Sequence, residues 1–198
     1  MNTVALFGDS NTLLLSAVLA QVTPPTGWAW HFRGQNAQGT GPGLVHLGGL
    51  LTNATPPTVA FLGWGGWDAG GVATATPNMT EPPCTVAGAA RNLWDAATYL
   101  NSLGTHAVIA RGVGCLTVPH PAVTPDPADL NRFHRQDTAY LDIAAAVSHW
   151  PHTVSYRQPA TDPKWWTADH VHVSAAGAMA AACRVVQYLR TNGFWPAG

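Results

Sequence analysis

Apolar residues fall into short runs bounded by glycine or proline, and these runs alternate with longer stretches of helical periodicity. Thr3–Phe7 (TVALF) is wholly apolar, the pattern of a strand buried on both faces. Gly8 ends it, and Asn11–Val22 predicts a helix with an apolar stripe. Trp28–Phe32 predicts a second strand, followed by a glycine-rich loop, Gly34–Gly43, and a short helix, Leu44–Leu51. Thr58–Leu62 is a third apolar run, and a long loop, Gly63–Pro83, is expected after it. Val86–Ser102 predicts a helix that Gly104 terminates. His106–Ala110 reads as a fourth strand, Cys115–Pro125 as a proline-punctuated loop, and Asp126–Val147 as a long helix with Pro127 in its first turn. Thr153–Tyr156 is a fifth strand. After the loop Arg157–His172, a last helix is expected over Ser174–Asn192, with Ser174 as its N-cap and Gly193 just past its end.

Five apolar strands separated by helices predict the α/β class, with a five-stranded parallel sheet between two helical layers in one domain over residues 1–198. In such sheets ligands bind outside the carboxyl ends of the strands. The residues to inspect for chemistry therefore follow Phe7, Phe32, Leu62, Ala110 and Tyr156.

Composition narrows the function classes. Only 10% of the 198 residues are charged, 9 basic against 10 acidic, where ordinary soluble proteins carry roughly 25%. Lys164 is the only lysine. That balance excludes an electrostatic nucleic-acid binder and a polybasic membrane anchor, and 46% hydrophobic residues exclude a disordered solvating tail. No run approaches the ~20 apolar residues of a membrane span. No basic start leads into an apolar stretch, so no signal peptide is expected in this chain, and its location stays open between the cell interior, the cell envelope, a virion and secretion. The scarcity of lysine beside abundant alanine resembles bacterial or phage sequences, and low charge suits association, with the oligomeric state unread. Cys84, Cys115 and Cys183 make neither a disulfide framework nor a metal knuckle. A Cys84–Cys115 bridge stays open, and Cys183, in an alanine-rich helix, reads as a small buried filler.

The first strand end carries Gly8-Asp9-Ser10-Asn11-Thr12. A serine at a strand-to-helix turn has its hydroxyl presented to solvent and its own N–H at a helix N-terminus, where developing negative charge is favoured. Ser10 also suits a plain N-cap. Asp169-His170-Val171-His172 precedes the last helix. A serine nucleophile needs a base, and the base needs a carboxylate to fix its tautomer. Asp169 and His172 can supply both from one turn, while His170 competes for the role of base and would pair with His172 in a metal site that lacks a third ligand.

These blocks resemble the SGNH hydrolases, the GDSL esterase and lipase superfamily, in Gly8-Asp9-Ser10, in Asp169-x-x-His172 and in the small-residue run through Gly177. The resemblance covers essentially the whole chain. It implies a flavodoxin-like sheet, Ser10 as nucleophile, His172 as base, Asp169 as its orienting acid, ester hydrolysis through an acyl-enzyme, and no metal or organic cofactor. Such enzymes complete the oxyanion hole, beside the nucleophile's own N–H, with a glycine after strand two and an asparagine after strand three. Gly39 is the favoured glycine, with Gly34 the alternative. The third block departs: in Gly63-Trp64-Gly65-Gly66-Trp67-Asp68 no asparagine stands, and Trp67 takes its place if Gly65 aligns with the block's glycine. An indole N–H donates without offering an acceptor. The variant block resembles the branch associated with sugar O-acyltransferases. Trp67 is equally readable as an aromatic wall.

Trp64, Trp67, Trp165 and Trp166 fall on loops at the expected active face, where rings stack on sugars or line an acyl pocket, and Arg111 after strand four suits an anionic substrate group. Modest loops point to a short acyl group, acetate first, on a carbohydrate or small alcohol. The alternatives are an O-acyltransferase of the same fold and a non-catalytic carbohydrate-binding or virion structural module.

Overall fold

A computed structural model describes residues 1–36, 38–52, 54–74, 85–123 and 125–197. The chain runs β1 (Asn2–Gly8), α1 (Ser10–Leu19), β2 (Trp28–Gly34), α2 (Thr40–Leu51), β3 (Val59–Gly63), α3 (Gly66–Thr74), α4 (Val86–Ser102), β4 (His106–Arg111), α5 (Pro127–Ala146), β5 (Thr153–Ser155) and α6 (Ala175–Thr191). The five strands form one sheet in the order β2-β1-β3-β4-β5, and every neighbouring pair is parallel. Each of the five apolar runs became a strand. Val4–Phe7, Val59–Leu62 and Ala107–Ala110 are buried along their whole length, because α1 packs with α6 while α4 packs with both α2 and α5, so the central strands are covered on both sides.

This order reverses direction between β1 and β3: from β1 the chain goes outward to β2 and then returns to the other side. The carboxyl ends of β1 and β3 therefore flank the crevice where this architecture binds ligands. A row of glycines marks that edge. Gly8 pairs with Gly34 on one side and with Gly63 on the other. A Cβ on Gly63 would lie 2.6 Å from Thr12 Oγ1, one on Gly34 would lie 2.9 Å from the Leu13 nitrogen, and one on Gly8 would reach the Gly63 carbonyl oxygen at 2.9 Å. The first turn of α1 thus settles onto bare backbone, and Thr12 Oγ1 donates to the Gly63 carbonyl at 3.3 Å. Ser10 is held low against the sheet edge as a result.

α2 and α3 differ most from the sequence expectation. α2 starts at Thr40 rather than Leu44, because Pro42 falls in the first turn, where its missing N–H has no intrahelical acceptor to lose. α3 occupies part of the expected loop Gly63–Pro83. Its glycines carry a helix penalty of about 1 kcal/mol each relative to alanine, so local preference argues against it, and packing decides. Ala69 is fully buried, α3 lies along α5, and a Cβ on Gly66 would meet the Tyr140 hydroxyl at 2.5 Å. Cys183 is exposed on α6, correcting its reading as a buried filler; alanines 181 and 182 fill that part of the inward face instead. Cys84, and with it the possible bridge to Cys115, lies outside the described residues. Among the described residues no helix is long and apolar enough to cross a membrane.

Candidate active site

Asp9, not Ser10, caps α1. Asp9 Oδ1 accepts from the Asn11 N–H at 3.0 Å and Oδ2 from the Gly66 N–H at 3.1 Å. Burial pushes the Asp9 carboxyl up to about 6, an effect that backbone hydrogen bonds from Gly66, Asn11 and Thr12 offset in part. With the cap supplied by its neighbour, the Ser10 hydroxyl is spared that duty and is the first side chain of the helix.

That hydroxyl meets a histidine. Ser10 Oγ lies 2.8 Å from His172 Nε2, and His172 Nδ1 lies 2.6 Å from Asp169 Oδ2. Asp169 Oδ1 collects the Thr167 hydroxyl at 2.7 Å and the N–H groups of Val171 and His172 at 3.0 Å each. Burial works to raise the Asp169 carboxyl, and the hydrogen bonds from His172, Thr167 and Val171 together outweigh it, holding the group well below the usual carboxylate range. The hydrogen bond to Asp169 in turn raises His172 above its ordinary value, against the opposing effect of burial.

His170, the competing histidine, faces elsewhere. It has φ 68°, is 1% exposed, stacks on Phe133 with centroids 4.6 Å apart, and places Nδ1 3.2 Å from the Leu116 carbonyl oxygen. The left-handed backbone at His170 turns the chain so that residues 169 and 172 share one side while 170 is packed under the β4–α5 loop. Among the described residues no group of three or more His, Cys, Asp or Glu side chains is arranged to hold a metal ion.

A cleft of roughly 440 Å³ opens over Ser10 and His172. Trp67 lines it and is 39% exposed. Trp64 does not, against the sequence reading: it is 2% exposed, seated where a Cβ on Gly43 would collide with it, and its Nε1–H donates to Gln38 Oε1 at 2.9 Å. Trp166 is likewise 2% exposed and donates to the Pro159 carbonyl at 2.9 Å, and half-buried Trp165 donates to Asp162 at 3.0 Å. Those indoles are inside because their N–H groups find acceptors there. Arg111 ends β4, one strand beyond the crevice, and does not line the cleft. Gly34 is in the sheet beneath Leu13, also off the cleft wall.

Gly39 lies behind Trp67: a Cβ there would be 3.4 Å from Trp67 Cδ1 and 3.3 Å from Asp68 Oδ1. Asp68 is buried, and its carboxylate accepts both the Thr40 N–H and the Thr40 hydroxyl at 2.9 Å, which ties the start of α3 to the start of α2. From the loop after β2, Asn36 reaches the cleft wall. The opposite wall is α5, through Arg132, Gln136 and Tyr140. Sequence reasoning missed these three, although spacing of four along one helix puts them on one face.

Neither a family model nor a curated protein matches the sequence. Solved structures do. A GDSL-like lipase from Bacteroides thetaiotaomicron superposes with a TM-score of 0.69 at 16% identity, over 96% of this chain and 89% of that one. A lipase/acylhydrolase from Enterococcus faecalis gives 0.65 at 18% identity, over 97% of each chain. An acetylxylan esterase from Geobacillus stearothermophilus gives 0.65 at 16% identity, over 95% and 94%. The chain has the fold of the GDSL-like hydrolases. Within this GDSL-type fold, the Ser10–His172–Asp169 line stands at the carboxyl edge of the sheet, beside the crevice between β1 and β3. The chain spans nearly the whole length of each of these structures, so the likeness includes the sheet and both helical layers.

Proposed function

We propose that the chain is a carboxylic ester hydrolase, using Ser10 as nucleophile, His172 as general base and Asp169 to orient and stabilise the histidine. The observation that carries this is the unbroken line of 2.8 Å and 2.6 Å hydrogen bonds from Ser10 to His172 to Asp169 at the edge of the sheet. In this reading His172 Nε2 takes the hydroxyl proton as Ser10 Oγ attacks the ester carbonyl. The tetrahedral oxyanion forms beside the N-terminus of α1, where the Ser10 N–H and the helix dipole favour it. His172 returns the proton to the departing alcohol, and the acyl-enzyme is then hydrolysed by water through the same steps. The cleft is open and of modest volume, which suits a short acyl group, acetate first, and the exposed Trp67 ring suits a carbohydrate or small alcohol. The solved acetylxylan esterase with this fold lends weight to that substrate class. The testing experiment is turnover of 4-nitrophenyl acetate alongside fluorophosphonate modification: hydrolysis should vanish in step with one label on Ser10. Undiminished turnover by fully labelled protein sinks the reading, and acyl transfer to added sugar outrunning hydrolysis would reassign it to an acyltransferase.

The base must be neutral to accept the serine proton, so activity falls as pH drops through the His172 pKa. Because Asp169 raises that pKa, the acid limb of kcat/KM is expected above the ordinary histidine value of about 6.5. Stopped-time assays from pH 5 to 9 check this; a limb clearly below that value would mean that another group is the base.

Trp67 is the proposed partner of the Ser10 N–H in the oxyanion hole; Gly39, the glycine favoured from the sequence, lies behind that ring and off the cleft wall. Trp67→Phe keeps a ring and removes the N–H. If the indole donates to the oxyanion, kcat should fall roughly a hundredfold with KM little changed. A change confined to KM would leave Trp67 as a wall and move the donor role to Asn36, which also lines the cleft.

A further inference from the structure

We propose that Asn11 is a positioning residue that sets the distance between nucleophile and base. The proposal rests on the Ser10–His172 reading above. Asn11 follows Ser10 directly, lies in the first turn of α1 and is 8% exposed. Its Oδ1 accepts from the Val173 N–H at 3.0 Å, and its Nδ2 donates to the Val171 carbonyl at 3.2 Å. Both bonds land on the peptide groups either side of His172. A parallel β-neighbour bonds a strand in the same way, through the carbonyl before a residue and the N–H after it. One carboxamide therefore stands in for a strand and docks the histidine segment onto the helix that carries the serine.

The rest of the segment is tied elsewhere. The Thr167 N–H and hydroxyl both bond the His172 carbonyl, and Asp169 receives Val171 and His172. These bonds are internal to residues 167–172. The Leu116 N–H bonds the His170 carbonyl, which anchors the segment to the β4–α5 loop. Among the described residues, the hydrogen bonds that join residues 169–173 to α1 are the two from Asn11 and the Ser10–His172 bond itself. Internal bonds keep the Asp169–His172 pair together. Asn11 sets where that pair sits relative to Ser10.

Chemistry restricts the residue. The position needs a donor and an acceptor on a stem short enough to reach both peptide groups. Leucine repeats the branched shape, with bulkier ends, and has neither group. Aspartate keeps the acceptor for Val173 and loses the donor, setting its second oxygen against the Val171 carbonyl.

The test compares Asn11→Leu and Asn11→Asp with the wild-type full chain for kcat and KM on 4-nitrophenyl acetate, fluorophosphonate labelling rate, acid limb and thermal midpoint. For Asn11→Leu, kcat and labelling rate should each fall about ten- to a hundredfold, as expected for a small misplacement of reacting groups. KM should stay within about threefold, since Asn11, although it lines the cleft, has its amide oxygen and nitrogen committed to the backbone of Val173 and Val171. The acid limb should stay in place, because the Asp169–His172 bond lies within the segment. Asn11→Asp should be reduced in labelling rate also, and it decides the matter if the leucine variant does not fold. Wild-type labelling rates in folded variants overturn the proposal, as does a downward move of the acid limb in Asn11→Leu, which would mean that the whole segment has come loose. A wild type that neither turns over nor labels would instead sink the triad reading, so the two failures are distinguishable.

Discussion

Ser10→Ala is expected to lower kcat for 4-nitrophenyl acetate on the order of a million-fold, leaving the weak rate that binding and oxyanion donors alone support. The residual rate arises because the α1 N-terminus and the cleft remain when the hydroxyl is gone. The substitution should leave the fold intact. Asp9 supplies the helix cap, and among the described residues the Ser10 side chain hydrogen-bonds His172 alone. Thermal midpoints of the two proteins should therefore agree within about two degrees, as for surface changes that remove no cap or packing. Steady-state assay with matched thermal melts checks both halves. Wild-type turnover in the alanine variant would remove Ser10 from the chemistry.

Asp169→Asn should cost about ten-thousandfold in kcat while preserving the shape of the site, and the hydrogen-bond pattern says why. Oδ1 accepts from three donors, Thr167, Val171 and His172 N–H, so the amide oxygen of an asparagine must take that place. Its NH2 group then occupies the place of Oδ2 and faces His172 Nδ1. A donor there forces the proton onto Nε2, and a histidine protonated at Nε2 cannot accept from Ser10. The acid limb of any remaining activity should move down, because the interaction that raises His172 is gone. Turnover, the pH profile and nitrogen chemical shifts of His172 measure these effects. A loss of less than about tenfold would show that His172 finds its tautomer without Asp169.

Much of the fold was legible because its strands are buried on both faces, which leaves unmixed apolar runs between glycines. α3 was not, since Gly-Trp-Asp-Ala-Gly-Gly reads locally as a loop and becomes helical only where small residues let it approach α5 and Asp9. Ser10, Asp169 and His172 could be named because each belongs to a block whose chemistry needs neighbours close in sequence. The tryptophans were harder. Trp64, Trp67 and Trp166 look alike on loops, and what separates them is whether an internal acceptor exists for the N–H: Gln38 for Trp64, Pro159 for Trp166. Arg111 failed for a related reason, since following a strand matters only at the strands that border the crevice. Arg132, Gln136 and Tyr140 share a helix face that the sequence displays, but which face turns to the cleft is decided by the packing of α5 against α3. Asn11 carried no signal, because its partners lie 160 and 162 positions away and are backbone groups.

That separation has a consequence in time. Within this sheet, Ser10 and Asn11 follow β1, the earliest-made strand, whereas their partners Val171, His172 and Val173 follow β5, the last-made. A nascent chain that has emerged as far as β4 already holds the glycine-lined edge and its serine, and has no base to activate it. Contacts of such long range are also the slow ones to form. Refolding molecules should thus regain sheet structure ahead of reactivity, and the serine stays chemically quiet until the final segment docks.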